Sequence, residues 1–346
     1  MLKLFTDKTF LTEAHRKSVF PLLFDLHYVK NNDLSDFYKL VDRVSDCDVV
    51  VFPMDYGVFY KHQEAFSKLN KEAKHHKKPI WIYTAGDFGF TVHIPNSYVF
   101  RFGGFHSKLD ANTFVMPSFI NDPYQTVLKQ PFSVVPTATE PHIGFVGHAK
   151  AGFVKYIKSY LSHLKLKFKG LFKLRFFDRQ VFYPSGIKRA HYLNALKNSK
   201  QLHTDFIFRD TYRAGIQNPK SKQETTQEFY DNMFSNLYTF CMRGVGNFSV
   251  RFYETLAVGR IPVLLNTDCR LPLSDSVDWE KHVIIVDASK KESLEAQILQ
   301  FHTSKSEEEI KAIQKNNRLL WETHLERPAY FMKVHNMFVN KLMNHA

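Results

Sequence analysis

The chain has 346 residues, of which 44% are hydrophobic and 15% aromatic, and this composition excludes extended disorder and leaves room for two domains of about 150 residues each. Its formal net charge of +13 predicts an anionic partner, and nucleic acid, an anionic membrane and a nucleotide substrate all fit that charge. The three cysteines form no CxxC pair, which excludes a disulfide framework and gives a zinc site no support.

The first half of the sequence alternates strand-like and helix-like segments. We expect strands at LKLFT, CDVVVFP, PIWIYTAGD and YVFRFGG, and helices over SDFYKLVDRV and from about His62 to His76. Strands that alternate with helices predict a parallel sheet in an α/β domain. We therefore assign residues 1–121 to an N-terminal Rossmann-like domain.

Residues 122–141 hold four prolines and little periodicity, and we interpret them as a linker. The segment HIGFVGHAKAG then restarts the strand, turn and helix pattern. Strand-like runs follow at LKFKGLFKLRF, DFIFRD, LYTFCM, IPVLL and HVIIVD, and the end of the chain, from about Ser306 to Asn344, has a helical pattern. Residues 142–346 are therefore predicted to form a second Rossmann-like domain with terminal helices.

The N-terminus, MLKLFTDKTFLTEAHRK, lacks the apolar run of a secretory signal, and no stretch of about 18 apolar residues occurs elsewhere. We expect a cytoplasmic protein, with a peripheral position at the inner face of the membrane as an open alternative.

The segment RGVGNFSVRFYETLAVGRIPVLL, residues 243–265, has the pattern of strand, glycine loop, helix and strand. Ser249 suits the N-cap of the helix, Gly259 the position just after its end, and Pro262 prevents its continuation. Free backbone N–H groups at such a helix start attract anions, and glycine lets a phosphate approach the backbone. The segment therefore predicts a phosphate site.

Charged side chains in the same segment suit a nucleotide. Arg243 and Arg251 supply fork-shaped positive charge for a diphosphate. Glu254 lies one turn beyond Arg251 and suits the hydroxyls of a ribose. An ordinary ion pair between Arg251 and Glu254 on the helix surface is the alternative.

The segment GNFSVRFYETLAVGRIPVLLNTDCRLPLSDSVDWEKHVIIV, residues 246–286, resembles the signature of exostosin-family glycosyltransferases. That signature contains S-x-R-F-x-E-A-L, then A-x-G-x-I-P-V, an L-P loop and D-W-x-x-x-x-V-x-V. The sequence departs from it at Thr255, where alanine is usual, and at Arg260, where cysteine is frequent. A looser pattern covers residues 142–345. The matching positions are Ser249, Arg251, Phe252, Glu254, Leu256, Gly259, Ile261, Pro262, Val263, Leu271, Pro272, Asp278 and Trp279.

The resemblance implies a GT-B fold, in which two Rossmann-like domains face each other across a cleft and the C-terminal helices pack back toward the N-terminal domain. The donor would bind the C-terminal domain and the acceptor the N-terminal domain. It further implies that Arg243, Gly244, Ser249 and Arg251 hold the diphosphate and that Glu254 binds the ribose.

Two further segments follow strands of the second domain and are candidates for lining the cleft, the first facing either the donor or the acceptor. GHAK places Gly147 and His148 after the first strand of this domain, and FRDTYRAG places Arg209, Tyr212 and Arg213 after another. Surface arginines are the alternative interpretation of the second group.

An inverting transfer needs a carboxylate or imidazole that deprotonates the acceptor hydroxyl. Ligands of open α/β sheets lie beyond the carboxyl ends of the strands. Asp55, after VVVFPM, and Asp87, after WIYTAG, are therefore the candidate bases, with Asp25 and His27 after PLLF as further candidates. A turn-forming or capping role is the alternative for each aspartate.

The triplet Asp46-Cys47-Asp48 has the form of the D-x-D metal motif of GT-A enzymes, but it precedes its strand. We therefore expect it opposite the ligand crevice and without a metal. Because GT-B enzymes neutralise the leaving diphosphate with arginines and helix N-termini, the resemblance implies a metal-independent enzyme without a cofactor.

The segment 153–180, FVKYIKSYLSHLKLKFKGLFKLRFFDRQ, interleaves aromatic residues with eight basic ones. Docking on an anionic membrane near a lipid-linked acceptor, contact with nucleic acid, and a solvated helix with a strand edge all fit this pattern. The basic residues, set against Asp178, are Lys155, Lys158, Lys165, Lys167, Lys169, Lys173, Arg175 and Arg179.

The resemblance implies a glycosyltransferase that moves a sugar with inversion from a nucleotide diphosphate sugar, with a UDP-sugar favoured, to a hydroxyl of a glycan or lipid-linked glycan. We expect a bacterial enzyme of surface-glycan biosynthesis, such as capsule or lipopolysaccharide. The alternatives are a GDP-sugar enzyme of the fucosyltransferase kind, a basic nucleic-acid-binding protein, which is less favoured, and an inactive GT-B partner subunit.

Overall fold

The computed structural model describes residues 1–172, 176–210, 219–287, 289–290 and 293–344. The chain divides into two compact units. Unit 1 comprises Met1–Pro117, Lys169–Arg179 and Thr323–Ala346, and unit 2 comprises Ser118–Phe168 and Gln180–Glu322. Each unit is therefore assembled from separate pieces of the sequence.

Strands and helices alternate in both units. In the described residues the strands are β1 Leu2–Phe5, β2 Tyr38–Val41, β3 Val49–Val51, β4 Ile80–Tyr83, β5 Ser97–Arg101, β6 Thr113–Val115, β7 His142–His148, β8 His203–Arg209, β9 Tyr238–Cys241, β10 Ile261–Asn266 and β11 Ile284–Asp287. The α-helices are α1 Pro21–Phe24, α2 Tyr56–Phe59, α3 Gln63–His75, α4 Phe153–Leu171, α5 Ser185–Lys197, α6 Pro219–Ser235, α7 Val250–Ala257, α8 Leu294–Thr303, α9 Glu307–Leu320 and α10 Arg327–Asn344.

Unit 1 is built on a parallel sheet with the strand order β2-β1-β3-β4-β5-β6. Every residue of β3 and β4 is buried, because helices and loops cover both faces of the sheet, and this burial explains their continuous apolar sequence. The strand predictions for CDVVVFP and PIWIYTAGD are thus confirmed.

The helix predicted over SDFYKLVDRV is wrong, since Tyr38–Val41 form the edge strand β2. Within β2, Tyr38 is buried, Lys39 is exposed, and Leu40 and Val41 are partly buried. The backbone pairs with β1 from Leu2 to Phe5, and this pairing outweighs the helical spacing of the apolar residues.

The C-terminal helix α10 packs within unit 1, as the fold prediction requires. Tyr330 Oη donates to the carbonyl of Val115 at 3.1 Å, and Tyr38 Oη donates to that of Phe331 at 2.6 Å. Arg327 forms an ion pair at 2.5 Å with Asp25, whose side chain is buried. The predicted division, which kept 142–346 as one domain, differs from the structure here.

The segment Lys169–Arg179 completes unit 1 through a buried arginine. Arg101 is 1% exposed, and its Nη1 donates to Asp178 Oδ2 at 2.6 Å. Asp178 also accepts from the backbone N–H of Thr91 at 2.8 Å. Gly89 has a φ of +59°, and a Cβ there would lie 2.5 Å from the Arg101 guanidinium, so this position requires glycine.

Unit 2 is also built on a parallel sheet, with the strand order β11-β10-β9-β7-β8. The order reverses between β7 and β9, because β8 lies on one side of β7 and β9 on the other. In open α/β sheets the crevice at the carboxyl ends of two such strands is where ligands bind. The predicted α/β class, with two parallel sheets, is confirmed.

Residues 118–141, which include the predicted linker 122–141, are packed into unit 2. Tyr124 Oη donates to the carbonyl of Val258 at 2.8 Å. Asp122 forms an ion pair with Arg318 at 2.7 Å. This stretch therefore serves as a structural part of the second unit.

The strand predicted over LKFKGLFKLRF is wrong, because α4 continues to Leu171, while residues 173–175 lie outside the described residues. The run LKLKFK alternates apolar and basic residues, which is typical of a strand, yet the same apolar residues continue the helical spacing of α4. None of the helices in the described part of the chain is long and apolar enough to cross a membrane.

The arginine that replaces the frequent cysteine of the family pattern is a buried link within unit 2. Arg260 is fully buried, its Nε and Nη2 donate to the carbonyl of Phe234 at 3.0 and 2.8 Å, and its Nη1 donates to that of Ser133 at 2.9 Å. Burial lowers the pKa of Arg260 to about 10. The substitution thus joins the packed stretch 118–141 to the body of the unit.

We expect Gly259→Ala to lower the free energy of unfolding by about 1–3 kcal/mol. Gly259 has a φ of +72°, and a Cβ there would collide with the Phe132 ring. Urea denaturation at equilibrium measures the effect. Gly186→Ala in α5 is the control, because open space surrounds that position and alanine favours a helix. Equal effects of the two substitutions would contradict the prediction.

Candidate functional site

The candidate loops of the sequence follow two neighbouring strands of unit 2. Residues 147 and 148 end β7 and residues 149 and 150 follow it, and residues 242–249 connect β9 to α7. β7 and β9 are paired in parallel, so their carboxyl ends lie at the same edge of the sheet. The structure therefore brings both loops to the switch point of the sheet, which is the position between β7 and β9 where the strand order reverses.

Arg189 in α5 joins the ends of these two strands. Its Nη1 donates to the carbonyl of His148 at 2.9 Å, and its Nη2 donates to that of Arg243 at 3.4 Å. Sequence analysis missed this residue, because no spacing pattern relates α5 to strand ends so far away in the chain. The signal that could have identified Arg189 is its position on a helix between β7 and β8, next to the switch point.

Arg243 is buried just beyond β9. Its Nη2 donates to the carbonyl of Val245 at 2.9 Å and to Gln180 Oε1 at 3.3 Å. The guanidinium lies 4.6 Å from the centroid of the Tyr183 ring. Burial lowers the pKa of Arg243 and raises the pKa of Tyr183 to about 12. Arg243 thus supports its own loop and brings positive charge to it.

Arg251 lies in the first turn of α7 and reaches back to β7. Its Nη2 donates to the carbonyl of Val146 at 2.7 Å, and its guanidinium lies 4.2 Å from the centroid of Phe145. A Cβ at Gly147 would lie 2.9 Å from Nη2, so a side chain there would displace the guanidinium. Arg251 Nε is buried and has no hydrogen-bond partner among the described residues.

Glu254 follows Arg251 by one helical turn. In the described part of the chain its carboxylate has no hydrogen bond, and it forms no ion pair with Arg251. Burial raises the pKa of Glu254 to about 7, against the lowering effect of Arg251. Burial chiefly, and then the charge of Glu254, raises the pKa of Tyr230. The carboxylate is thus an acceptor that the described residues do not satisfy.

The loop before α7 closes on itself, since the backbone N–H of Gly244 donates to the carbonyl of Phe248 at 3.3 Å, and it leaves the start of α7 without a side-chain cap. Ser249 is the N-cap of α7, as predicted, but its side chain makes no capping hydrogen bond. Apart from its chain neighbours, no described residue has an atom within 4 Å of the Cβ position of Gly244. Asn247 fixes the loop from inside, since its Nδ2 donates to the carbonyls of Thr267 and Asp268, both at 3.0 Å. The loop is therefore anchored and has room on its outer side.

His148 and Arg209 lie near the loop but are engaged with their neighbours. His148 Nδ1 donates to the carbonyl of Arg209 at 2.9 Å, and His148 Nε2 accepts from Lys155. Arg209 Nη2 donates to Thr225 and forms an ion pair with Glu228, both on α6. Tyr212 and Arg213, which were predicted beside them, lie outside the described residues.

The predicted bases belong to unit 1 and differ in their contacts. Asp55 follows β3 and is the N-cap of α2, where Oδ2 accepts from Val58 N at 3.2 Å and Oδ1 from Ala85 N at 2.6 Å. These bonds are the capping role that the sequence left open. Asp87 is exposed and has no hydrogen bond to other described residues.

The triplet Asp46-Cys47-Asp48 precedes β3, as predicted, and its carboxylates are engaged. Asp48 Oδ2 accepts from Lys3 N at 2.7 Å, and Asp46 Oδ2 accepts from Arg43 Nε at 2.8 Å. Within the described ranges, no group of three or more His, Cys, Asp and Glu side chains is arranged to hold a metal ion.

Comparison with known proteins agrees with the sequence resemblance. Residues 185–300 match the family model of the Exostosin GT47 domain. Exostosin-1b of Danio rerio is 32% identical over 125 residues, which are 36% of this chain and 15% of that protein. The Exostosin-1 homolog of Caenorhabditis elegans is 32% identical over 98 residues, which are 28% of this chain and 24% of that protein.

The chain thus spans less than a quarter of the length of these curated relatives. Among solved structures, the crystal structure of the GtfA/B complex is 9% identical with a TM-score of 0.39, covering 86% of this chain and 58% of that chain. The resemblance to the exostosin family, which sequence analysis placed on residues 246–286, is confirmed by the wider match over 185–300.

We expect the stability of the chain to fall as the pH rises through about 7, because of Glu254. Its pKa is 4.5 before folding and about 7 after it, so the folded state holds a proton that the unfolded state releases. The stabilisation is complete below about pH 4.5 and is lost through about pH 7.

The test is Glu254→Gln, which keeps the shape of the side chain without titrating. It should raise the free energy of unfolding by about 1–3 kcal/mol at about pH 8 and change it little near pH 4.5. Urea denaturation at both values measures this. Glu64→Gln, on the exposed side of α3, is the control. An effect of Glu254→Gln that is independent of pH would contradict the prediction.

Proposed function

We propose, from the Exostosin GT47 domain that residues 185–300 match, that this chain is a glycosyltransferase whose unit 2 binds a nucleotide diphosphate sugar. One observation carries the proposal. Glu254, a carboxylate with no hydrogen bond in the described residues, lies one turn from Arg251 at the start of α7, beside the switch point of the sheet.

The start of α7 is the proposed place of the diphosphate. Its first backbone N–H groups have no side-chain cap, and the positive end of the helix favours an anion. Arg251 and Arg243 add two guanidinium groups, and the open side of Gly244 lets a phosphate oxygen approach the backbone. Gly147 and His148 at the end of β7 form the facing wall in this proposal. Arg209 is a weaker candidate, because α6 engages it. Arg213 lies outside the described residues and stays a candidate from the sequence alone.

Glu254 is the proposed ribose ligand. Ionised carboxylate oxygens accept hydrogen bonds from two neighbouring hydroxyls, and such bonds stabilise the charged form. Burial raises the pKa of Glu254 to about 7, so below that pH the carboxyl group of the free protein is mostly protonated. Ribose binding, which favours the ionised form, would then release this proton to the solvent. Donor affinity should then weaken as the pH falls below about 7.

The transfer itself needs little more than position and charge. The guanidinium groups and the helix N-terminus would stabilise the negative charge that develops on the leaving diphosphate, without a metal. An acceptor hydroxyl would attack the anomeric carbon from the opposite face and invert it. We propose Asp87 rather than Asp55 as the base, because both carboxylate oxygens of Asp55 already accept backbone N–H groups.

The proposed donor is a UDP-sugar and the proposed acceptor is a glycan or lipid-linked glycan. A role in bacterial surface-glycan biosynthesis remains part of this proposal, whereas the relatives reported above are animal proteins. A GDP-sugar donor is the alternative within the same chemistry. The contact of 153–180 with an anionic membrane is a separate proposal, because it rests on a different helix.

We expect UDP to raise the melting temperature of the purified chain in the presence of EDTA, more than GDP, CMP or TDP does. A ligand that binds the folded state at 100 times its Kd stabilises it by about 2.7 kcal/mol. Glu254→Ala and Arg251→Ala should each weaken UDP affinity by about 10- to 100-fold, as loss of a charge-assisted contact does. Glu308→Ala, an exposed site on α9, is the matched control and should bind as the wild type does.

The other outcomes discriminate between the alternatives. Stabilisation by GDP alone would replace the UDP-sugar with a GDP-sugar. Binding of UDP without release of UDP from any UDP-sugar in the presence of glycan acceptors would indicate an inactive partner subunit. If no nucleotide stabilises the chain while RNA or DNA binds with a steep salt dependence, the glycosyltransferase proposal is wrong.

A further inference from the structure

Helix α4 turns its polar side toward the protein. None of its residues is fully buried, and those that are partly covered recur every three or four positions and so form one face. On this face the His163 ring lies 5.5 Å from that of Phe182, and a Cβ at Gly170 would touch the Phe177 ring. The partly covered residues are Lys155, Ser159, His163, Leu166 and Gly170.

The opposite face of α4 is apolar and lies in solvent. A surface helix of a globular protein buries its apolar stripe and exposes its polar one, so this helix has the reverse arrangement. A contiguous exposed apolar patch of this kind marks a surface that contacts another protein or a membrane. Its members, each at least 41% exposed, are Phe153, Val154, Ile157, Tyr160, Leu161, Leu164, Phe168 and Leu171.

Lysines border this apolar face on both sides. On a helical wheel, Lys158, Lys165 and Lys169 follow one edge of it, and Lys167 follows the other. The sequence contains no Asp or Glu between Glu140 and Asp178, so no acidic side chain of this stretch offsets them. The border is therefore complementary to a surface that is both apolar and anionic.

We propose that α4 lies in the plane of an anionic membrane, with its apolar face inserted at the boundary of headgroups and acyl chains and its lysines on lipid phosphates. Interfacial helices have this combination of an apolar face and flanking Lys residues. Tyr156 and Tyr160, each 44% exposed, suit the same boundary, because the ring is apolar and the hydroxyl is polar. The lysine border distinguishes lipid from a second copy of α4, which would bring like charges together.

The experiment is co-sedimentation of the full chain with vesicles. Vesicles of phosphatidylcholine with about one third phosphatidylglycerol should bind the chain at least about 10-fold more strongly than phosphatidylcholine alone, and added salt should weaken this binding. The double substitution Leu161→Ser with Phe168→Ser should reduce it by about 10-fold or more, as should Lys158→Gln with Lys165→Gln. Val29→Ser, at a residue 50% exposed elsewhere on the surface, is the matched control.

Two results would overturn the proposal. One is equal vesicle binding by the wild type and the Leu161/Phe168 variant. The other is concentration-dependent dimerisation without lipid that this variant abolishes, since a second copy would then cover the apolar face. Each variant should show the wild-type melting temperature and the wild-type stabilisation by UDP, so that loss of vesicle binding is separate from failure of the donor site.

Discussion

The contact between Arg251 and the backbone at Gly147 is the constraint on which the candidate site depends. The guanidinium donates to the carbonyl of Val146 and lies against the Phe145 ring, in the space that a side chain at 147 would fill. A side chain at position 147, at the end of β7, would therefore displace the guanidinium of Arg251. Because this contact fixes the first turn of α7 against the sheet, it also fixes where the carboxylate of Glu254 lies.

The part of this arrangement that is contiguous in sequence could be predicted. Strand, loop, N-cap and helix follow one another between β9 and α7, so local rules identify Ser249 as the cap and Gly259 as the left-handed end. Arg189 could not be predicted, since its partners His148 and Arg243 lie 41 and 54 residues away and only the sheet order brings them together. Nor could the sequence decide whether Asp55 caps a helix or is free to act as a base, because hydrogen bonds from backbone N–H groups produce no recognisable sequence pattern.

The two errors in secondary structure have a common physical origin. The apolar residues around Tyr38–Val41 have a helical spacing, and the run after Leu164 alternates apolar and basic residues, so in each case the spacing of the apolar residues alone indicates the wrong element. Pairing with β1 decides the first as a strand. In α4 the apolar residues face solvent, so the usual link between apolar periodicity and burial, on which sequence interpretation rests, does not hold. That failure is itself informative, because an apolar stripe that lies largely in solvent is a feature of surfaces that contact another molecule or a membrane.

The interleaved order of the two units limits how such a chain could exchange parts in evolution. Unit 1 needs Asp178 opposite Arg101 and Arg327 opposite Asp25, and both partners are encoded well downstream of residue 117. A recombination that replaced everything after the first sheet would leave a buried guanidinium and a buried carboxylate without counter-ions, at a cost of several kcal/mol for each. Such an exchange would therefore destabilise unit 1, although each unit has its own sheet and core.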